Sequence, residues 1–203
     1  MNDNIKKENI FKQMFITRTE GFIDISKKRN FWKSLAEQFN GEFSVKQTVS
    51  KDLETLFLKI PYQNYWIEFT ESDTQPLKIN CKLNVNCKFD FFISYEDTIE
   101  KLLKIFGSQD IQVGDDVFDK KYLIQGETPD SIKKILMKDR IKTILLSNNV
   151  FSYNCNYDKK NETAQLTSLV SRTVNSKLEL AELFELFCLT LDEMEQLNII
   201  KKD

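Results

Sequence analysis

A strict alternation of apolar and polar residues runs from Ile79 to Ile93 and constrains the fold more than any other part of the sequence. Every odd position in it is apolar: Ile79, Cys81, Leu83, Val85, Cys87, Phe89, Phe91 and Ile93. The even positions are polar except for Phe92. Because successive side chains of a strand point to opposite faces, the segment predicts a β-strand that buries one face and exposes the other. It is longer than most strands, so we expect a bend or a bulge within it.

The rest of the chain divides into helical and strand patterns. Apolar residues recur at helical spacing after four residues that favour helix starts: Asn30, Ser94, Thr128 and Ser176. Period-two segments predict strands near residues 43–49, 56–60, 65–69, 117–124 and 151–157, with a hairpin turn at 158–161. The polar triplet 138–140 marks either a kink or a new helix. The pattern predicts an α+β fold, in which an antiparallel β-sheet has helices packed mainly on one face.

The chain is expected to form one domain. Residues 1–28 predict an N-terminal arm or a short helix, and residues 29–203 predict a single α+β domain without an internal linker. With 41% hydrophobic residues and 16 phenylalanines, the chain can bury a core. The sequence has no apolar run long enough to cross a bilayer and no secretory signal. We therefore expect a soluble protein that is cytoplasmic by default.

Histidine is absent, which excludes His-dependent nucleophiles and His-containing metal sites. Lys and Arg total 29 against 31 Asp and Glu, which gives a net charge of −2. The few arginines are Arg18, Arg29, Arg140 and Arg172. This balance argues against a nucleic-acid partner, since such binders are normally strongly basic. The sequence leans against an enzyme without excluding one, and it predicts no cofactor.

The four cysteines, Cys81, Cys87, Cys155 and Cys188, have no CxxC spacing. Cys81 and Cys87 lie on the predicted long strand, roughly 20 Å apart. That separation is too large for a disulfide. We expect four reduced thiols that are mostly buried.

An acidic loop contains Asp110, Asp115, Asp116 and Asp119. One hypothesis is that Asp115, Asp116 and Asp119 hold Mg²⁺ or Ca²⁺, although the calcium-loop spacing is not matched. The alternative is a structural Gly-Asp turn. In that turn the aspartates would bind backbone amides and Phe118 would enter the core.

Aromatic residues are dense around Pro61. Strand geometry places Tyr65 and Phe69 on one face and Trp66 on the other. We consider Trp66, with Tyr62, as an exposed anchor for a partner. The alternative buries Trp66 under a helix or the N-terminal arm.

Lysines and asparagines line the polar face of the long strand, namely Lys78, Asn80, Lys82, Asn84, Asn86 and Lys88. One hypothesis is that this face, with Lys82 as a contact residue, binds an anionic partner. The alternative is a solvated sheet face, because Asp90 and the near-neutral total charge weaken the local field.

The segment Asp110–Gly126, DIQVGDDVFDKKYLIQG, resembles a signature of uncharacterised bacterial domains of the DUF3137-like family. That signature reads roughly D-I-x-x-G-D-x-x-F-D-x-x-[FY]-x-[IV]-x-[GS]. Weaker similarity in residues 35–43 and 132–136 extends the resemblance over about residues 30–145. The resemblance implies a bacterial α+β domain of unknown function, and it supplies no catalytic residues.

Three functions remain open. The first is a non-catalytic interaction or scaffold module that binds an unknown protein partner or a second copy of itself. The second is a small-ligand-binding protein with an apolar pocket between a bent sheet and the helices. The third is a carboxylate–metal enzyme using the Asp115, Asp116 and Asp119 loop. None of these three hypotheses requires a nucleic acid or a membrane as a partner.

Overall fold

The computed structural model describes residues 25–47, 53–95, 110–174 and 176–201. Within them it contains eight β-strands and five α-helices. The predicted N-terminal arm, apart from residues 25–28, lies outside the described residues. So does the helix that we expected after Ser94.

The eight strands form one antiparallel sheet. In chain order they are β1 (Glu42–Gln47), β2 (Glu54–Tyr62), β3 (Tyr65–Ser72), β4 (Gln75–Asn84), β5 (Phe91–Tyr95), β6 (Tyr122–Gly126), β7 (Val150–Asp158) and β8 (Thr163–Val170). Their order across the sheet is β1-β2-β3-β4-β8-β7-β5-β6. Every neighbouring pair is antiparallel.

The helices lie mainly on one face of this sheet. They are α1 (Ile25–Gln38), α2 (Asp116–Lys121), α3 (Pro129–Leu136), α4 (Asp139–Ser147) and α5 (Lys177–Gln196). Helix α5 contacts α1, α3 and α4. In the core, the Tyr153 ring of β7 lies 5.7 Å from Phe187 of α5 and 5.5 Å from Phe91 of β5, measured between ring centroids. The predicted α+β fold is confirmed.

The alternating segment is not one strand, and this part of the prediction is wrong. It forms β4 and β5, which are separated along the chain by residues 85–90 and across the sheet by β8 and β7. The C-terminal segment explains where β4 ends. The Asn86 amide donates to the Ile199 carbonyl at 2.8 Å, and the Lys201 amide donates to the Asn84 carbonyl at 2.9 Å. The backbone beyond Asn84 therefore bonds to the C-terminal segment.

The interruption of the alternating segment between β4 and β5 changes the environment of one cysteine. Cys81, Cys155 and Cys188 are buried as expected, but Cys87 is exposed. Cys87 lies in the connection between β4 and β5, where strand alternation no longer fixes which side chains face the core. The expected burial of the thiols therefore holds for three of the four.

Several predicted boundaries also shift. Helix α1 begins at Ile25 rather than after Asn30, so the predicted domain boundary at residues 28–29 falls inside it. Val117 and Phe118 belong to α2 and not to a strand, because the Asp115 carboxylate caps that helix by accepting from the Phe118 amide at 3.1 Å. The triplet 138–140 marks a new helix, α4. Ser176 caps α5 as predicted, accepting from the Glu179 amide.

Candidate functional site

The face of the sheet opposite α1 and α5, which we call the outer face, carries an accessible tryptophan. Trp66 of β3 is 47% exposed, whereas its strand neighbours Tyr65 and Ile67 are buried on the helix-covered face. Across the β2–β3 ladder Trp66 pairs with Pro61. No described helix buries Trp66, so the alternative that placed it beneath a helix is wrong, and the alternative that placed it beneath the arm lies outside the described residues. Trp66 is an exposed aromatic side chain held on a paired strand.

Lys82 lies on the same face as Trp66. Continuing the β3–β4 register places Lys82 opposite Trp66. On its other side Lys82 pairs with Gln165 of β8, which pairs in turn with Asn156 of β7. Trp66, Lys82, Gln165 and Asn156 thus form a row across four strands. Neighbouring strands lie about 4.8 Å apart, so the row spans roughly 14 Å.

Tyr62 does not join this row. Its hydroxyl donates to the Asp192 carboxylate of α5, at 2.8 Å to Oδ1 and 3.0 Å to Oδ2. Its ring contacts Phe184 edge-on at 6.2 Å between centroids. Burial, and then the bond to Asp192, raise the pKa of Tyr62 well above its ordinary value. The structure therefore separates Tyr62 from Trp66 by placing it on the helix-covered face.

Two outer-face lysines of β4 are exposed and lie outside the ion pairs of the described residues. Lys59 is paired with Glu68 at 2.6 Å, which raises the pKa of that lysine. Lys78 and Lys82 are exposed, and neither forms an ion pair with any described acidic residue. Lys88, which we expected on the same face, lies outside β4 and pairs with Glu127 at 2.6 Å. Lys78 and Lys82 therefore bring two exposed positive charges to the outer face near Trp66.

A polar pocket of about 330 Å³ adjoins Lys82 at the end of the β7–β8 hairpin. Asn156, Asn161 and Gln165 contribute to its lining. A second pocket of about 350 Å³ shares Asn156 and continues toward Asp90 and Glu127. Sequence reasoning missed these amides, because only the β4–β8–β7 register brings them beside Lys82.

The acidic loop uses its carboxylates to fix its own backbone. Asp119 accepts from the amides of Val113 and Gly114 at 2.9 Å and from that of Asp115 at 3.2 Å. Gly114 adopts a φ of +81°, a conformation that suits glycine. These contacts match the structural alternative for Asp119.

The carboxylates of Asp115 and Asp110 also bind groups of the protein itself. Asp115 caps α2 and binds Lys142 at 2.9 Å, and Lys142 together with the Phe118 amide lowers the pKa of Asp115. Asp110 accepts from the Ile124 amide at 3.0 Å, which ties the loop to edge strand β6. Phe118 is fully buried. The segment with the family resemblance thus forms a hydrogen-bonded loop that is followed by α2 and the edge strand β6.

The geometry of the described residues gives little support to the carboxylate–metal hypothesis. Asp116 is exposed, and no group of three or more His, Cys, Asp or Glu side chains in the described residues is placed to hold a metal ion. Between sheet and helices, the rings of Phe91, Tyr153 and Phe187 pack against one another. The pocket beside Lys82 is lined mainly by polar side chains, whereas Phe91, Phe92 and Cys155 contribute to the lining of the second pocket.

The buried thiols are poor nucleophiles. Burial raises the pKa of Cys81 and of Cys188 to about 12, and it raises that of Cys155 further. A thiol is reactive as its thiolate. These three cysteines therefore stay protonated near neutral pH.

The fold defines the chain as an α+β domain with one helix-covered sheet face. None of its described helices is both long enough and apolar enough to cross a membrane. No protein-family model matches the sequence, and no curated protein does. Among solved structures, the fold is similar to the crystal structure of the mycobacterial trehalose monomycolate transport factor A, TtfA. The TM-score is 0.51 at 10% identity, over 86% of this chain and 98% of that one.

Proposed function

We propose that this protein is a non-catalytic interaction module that binds a protein partner through Trp66 and Lys82 on its outer face. The observation that carries the proposal is the exposure of Trp66, at 47%, on a paired strand of the sheet. Tryptophan is enriched among residues that dominate binding energy. A side chain already positioned by a sheet loses less conformational entropy on binding than one on a mobile loop.

The charges beside Trp66 define the partner's chemistry. Lys78 and Lys82 are both on β4 and alternate with Asn80, so their Cα atoms are about 13 Å apart. Neither forms an ion pair with a described acidic residue, although hydrogen bonds and, to a smaller extent, the charge of Lys82 lower the pKa of Asp158. An extended acidic segment that places an apolar side chain on Trp66 and a carboxylate near Lys82 complements this surface.

The same contacts favour binding over catalysis. The carboxylates of Asp115 and Asp119 and the hydroxyl of Tyr62 are held by other groups of the protein. The buried thiols are protonated. The proposal accordingly assigns the chain no cofactor and no reaction.

We also propose that the chain works in the cytoplasm of a bacterium and that it is related to DUF3137-like domains. The resemblance of Asp110–Gly126 supports the bacterial assignment, and free cysteines fit a reducing compartment. The fold neighbour TtfA is a transport factor. A non-catalytic accessory role, in which this chain binds another protein, is compatible with the similarity of its fold to that of TtfA.

Selection from a displayed peptide library tests the proposal. Selected peptides are titrated calorimetrically against wild type, Trp66→Ala, Lys82→Glu and the control Leu178→Ala, which truncates a 70% exposed apolar side chain on α5. We expect acidic peptides with an aromatic or proline residue. Trp66→Ala should weaken binding about 30-fold and Lys82→Glu about tenfold, with no change in the control.

Two results would contradict the proposal: peptides that bind Trp66→Ala as tightly as wild type, or selection of basic peptides alone. Melting curves of the variants exclude unfolding as the cause of lost binding. Sedimentation of the free protein decides whether the partner is a second copy, because a dimer dissociated by Trp66→Ala would place self-association on this face.

A further inference from the structure

The polar pocket beside Lys82 has the composition of a small-molecule site. It is lined by Lys82 of β4, Gln165 of β8, Asn156 and Asp158 of β7, and Asn161 of the turn between them. Its volume of about 330 Å³ is at the lower end of the range for ligand sites. This volume suits a ligand of about the size of one sugar ring.

The lining provides fixed hydrogen-bond acceptors. Asn156 donates its amide to Asn154 Oδ1 at 2.7 Å, and Asn161 donates its amide to Asp158 Oδ2 at 2.6 Å. Each bond orients an asparagine and leaves its Oδ1 able to accept. Asp158 also accepts from the Lys160 amide at 2.9 Å, and the bonds from Asn161 and Lys160 lower the pKa of Asp158.

The lining also provides donors. The Lys82 ammonium and the Gln165 amide make no side-chain hydrogen bond or ion pair with the described residues. Lysine supplies three donors, and a glutamine amide both donates and accepts. Donors and acceptors therefore alternate along Lys82, Gln165 and Asn156, which are adjacent across the sheet.

This mixture selects one class of ligand. Inside the pocket, an anion is disfavoured by the Asp158 carboxylate and the asparagine carbonyls, and a cation is disfavoured by Lys82. An apolar ligand would leave these polar groups desolvated and unpaired. A neutral polyol has adjacent hydroxyls that both donate and accept.

We propose that this pocket binds a neutral polyol, a monosaccharide or the terminal ring of a longer saccharide. The site shares Lys82 with the proposed protein-binding surface, but that surface does not require Asn156, Asn161 or Gln165. Variants of these three residues therefore test sugar binding separately from peptide binding. A protein that binds sugar but selects no peptide would retain this site and lose the proposed interaction function.

The test is a titration of the ¹⁵N-labelled protein with D-glucose, and separately with D-glucose 6-phosphate, followed by NMR. We expect millimolar binding of glucose, with shifts centred on the side-chain amides of Asn156, Asn161 and Gln165. Asn156→Ala and Gln165→Ala should each weaken binding about 3- to 10-fold. Gln75→Ala, an exposed glutamine at the opposite end of β4, should leave it unchanged.

Three results would overturn the inference: no amide shifts at saturating glucose, shifts confined to residues outside the pocket, or glucose 6-phosphate binding tenfold tighter than glucose. The last would identify an anion site centred on Lys82. Preserved spectra of Asn156→Ala and Gln165→Ala show that the variants remain folded, so a loss of binding is assigned to the pocket itself.

Discussion

Glu71 of β3 forms a buried ion pair with Lys28 of α1, with Oε1 and Nζ 2.6 Å apart. Only 2% of the Glu71 side chain is exposed, and its Oε2 has no hydrogen-bond partner in the described residues. Burial raises the pKa of Glu71 to about 7, although the Lys28 charge acts in the opposite direction. Docking of α1 on the sheet is thereby linked to pH.

We expect Glu71 to make the protein less stable as pH rises toward neutrality. Because its folded pKa, about 7, lies above the ordinary value of 4.5, the folded state takes up a proton more readily than the unfolded state. The associated stabilisation is complete below pH 4.5 and is lost as pH rises through 7. It amounts to about 3 kcal/mol.

Urea unfolding of wild type and Glu71→Gln between about pH 5 and about pH 8 measures this linkage. The stability of Glu71→Gln relative to wild type should rise with pH. At each pH, the free energy of unfolding of wild type is subtracted from that of Glu71→Gln. The difference removes the pH dependence due to other carboxylates such as Glu54, whose pKa is lowered by its bond to Arg29. A constant difference over this range would show that Glu71 does not titrate there.

Replacing the whole ion pair with apolar side chains should not destabilise the fold. Lys28→Met/Glu71→Leu removes the desolvation cost of two charges, so we expect stability equal to wild type or up to about 3 kcal/mol higher at pH 8. Lys28→Met alone leaves Glu71 buried without its cation and should cost about 3 kcal/mol. Chemical denaturation of both variants measures these changes, and a double variant less stable than the single one would contradict the account.

Asp119 should be structurally important, whereas Asp116 should not. Asp119→Ala removes the acceptor of three backbone amides and should cost about 2–4 kcal/mol. The control Asp116→Ala changes an exposed side chain and should stay within about 0.5 kcal/mol of wild type. Thermal unfolding compares the two. If instead Mg²⁺ raises the melting temperature of wild type but not of Asp119→Ala, the metal-site hypothesis is favoured.

Cys87 should be the first thiol to react. It is exposed, whereas the other three cysteines are buried. Brief treatment of the native protein with iodoacetamide should therefore add one carbamidomethyl group, found by mass spectrometry at Cys87 and missing from Cys87→Ser. In denaturant all cysteines should react. Equal labelling of Cys155 in the native protein would disagree with its burial.

Local patterns in the sequence identify which side chains are buried. In β3, the alternation correctly places Trp66 on one face of the sheet and Tyr65 and Phe69 on the other. In β2, the same alternation continues from Ile60 to Tyr62, which puts Tyr62 on the core face. The predicted strand at residues 56–60 stops before Pro61 and therefore leaves Tyr62 outside the pattern. Pro61 instead stays within β2, paired with Trp66.

Long-range pairing was beyond the reach of these patterns. The alternation in residues 79–93 reports burial on one face, but it carries no information about which strands lie alongside. Insertion of β8 and β7 between β4 and β5 is set by contacts distant in sequence. The same insertion brings Gln165 and Asn156 beside Lys82, so the polar pocket could not be predicted from the sequence.

The emission of Trp66 tests the central claim most directly. Trp32 is fully buried and Trp66 is 47% exposed, so a peptide bound on the outer face should change the fluorescence of Trp66 alone. Titration with the selected acidic peptide should shift the emission to shorter wavelength and protect it from iodide quenching, and both effects should be lost in Trp66→Phe. A peptide that binds with unchanged emission and unchanged quenching would show that the partner-binding surface lies elsewhere.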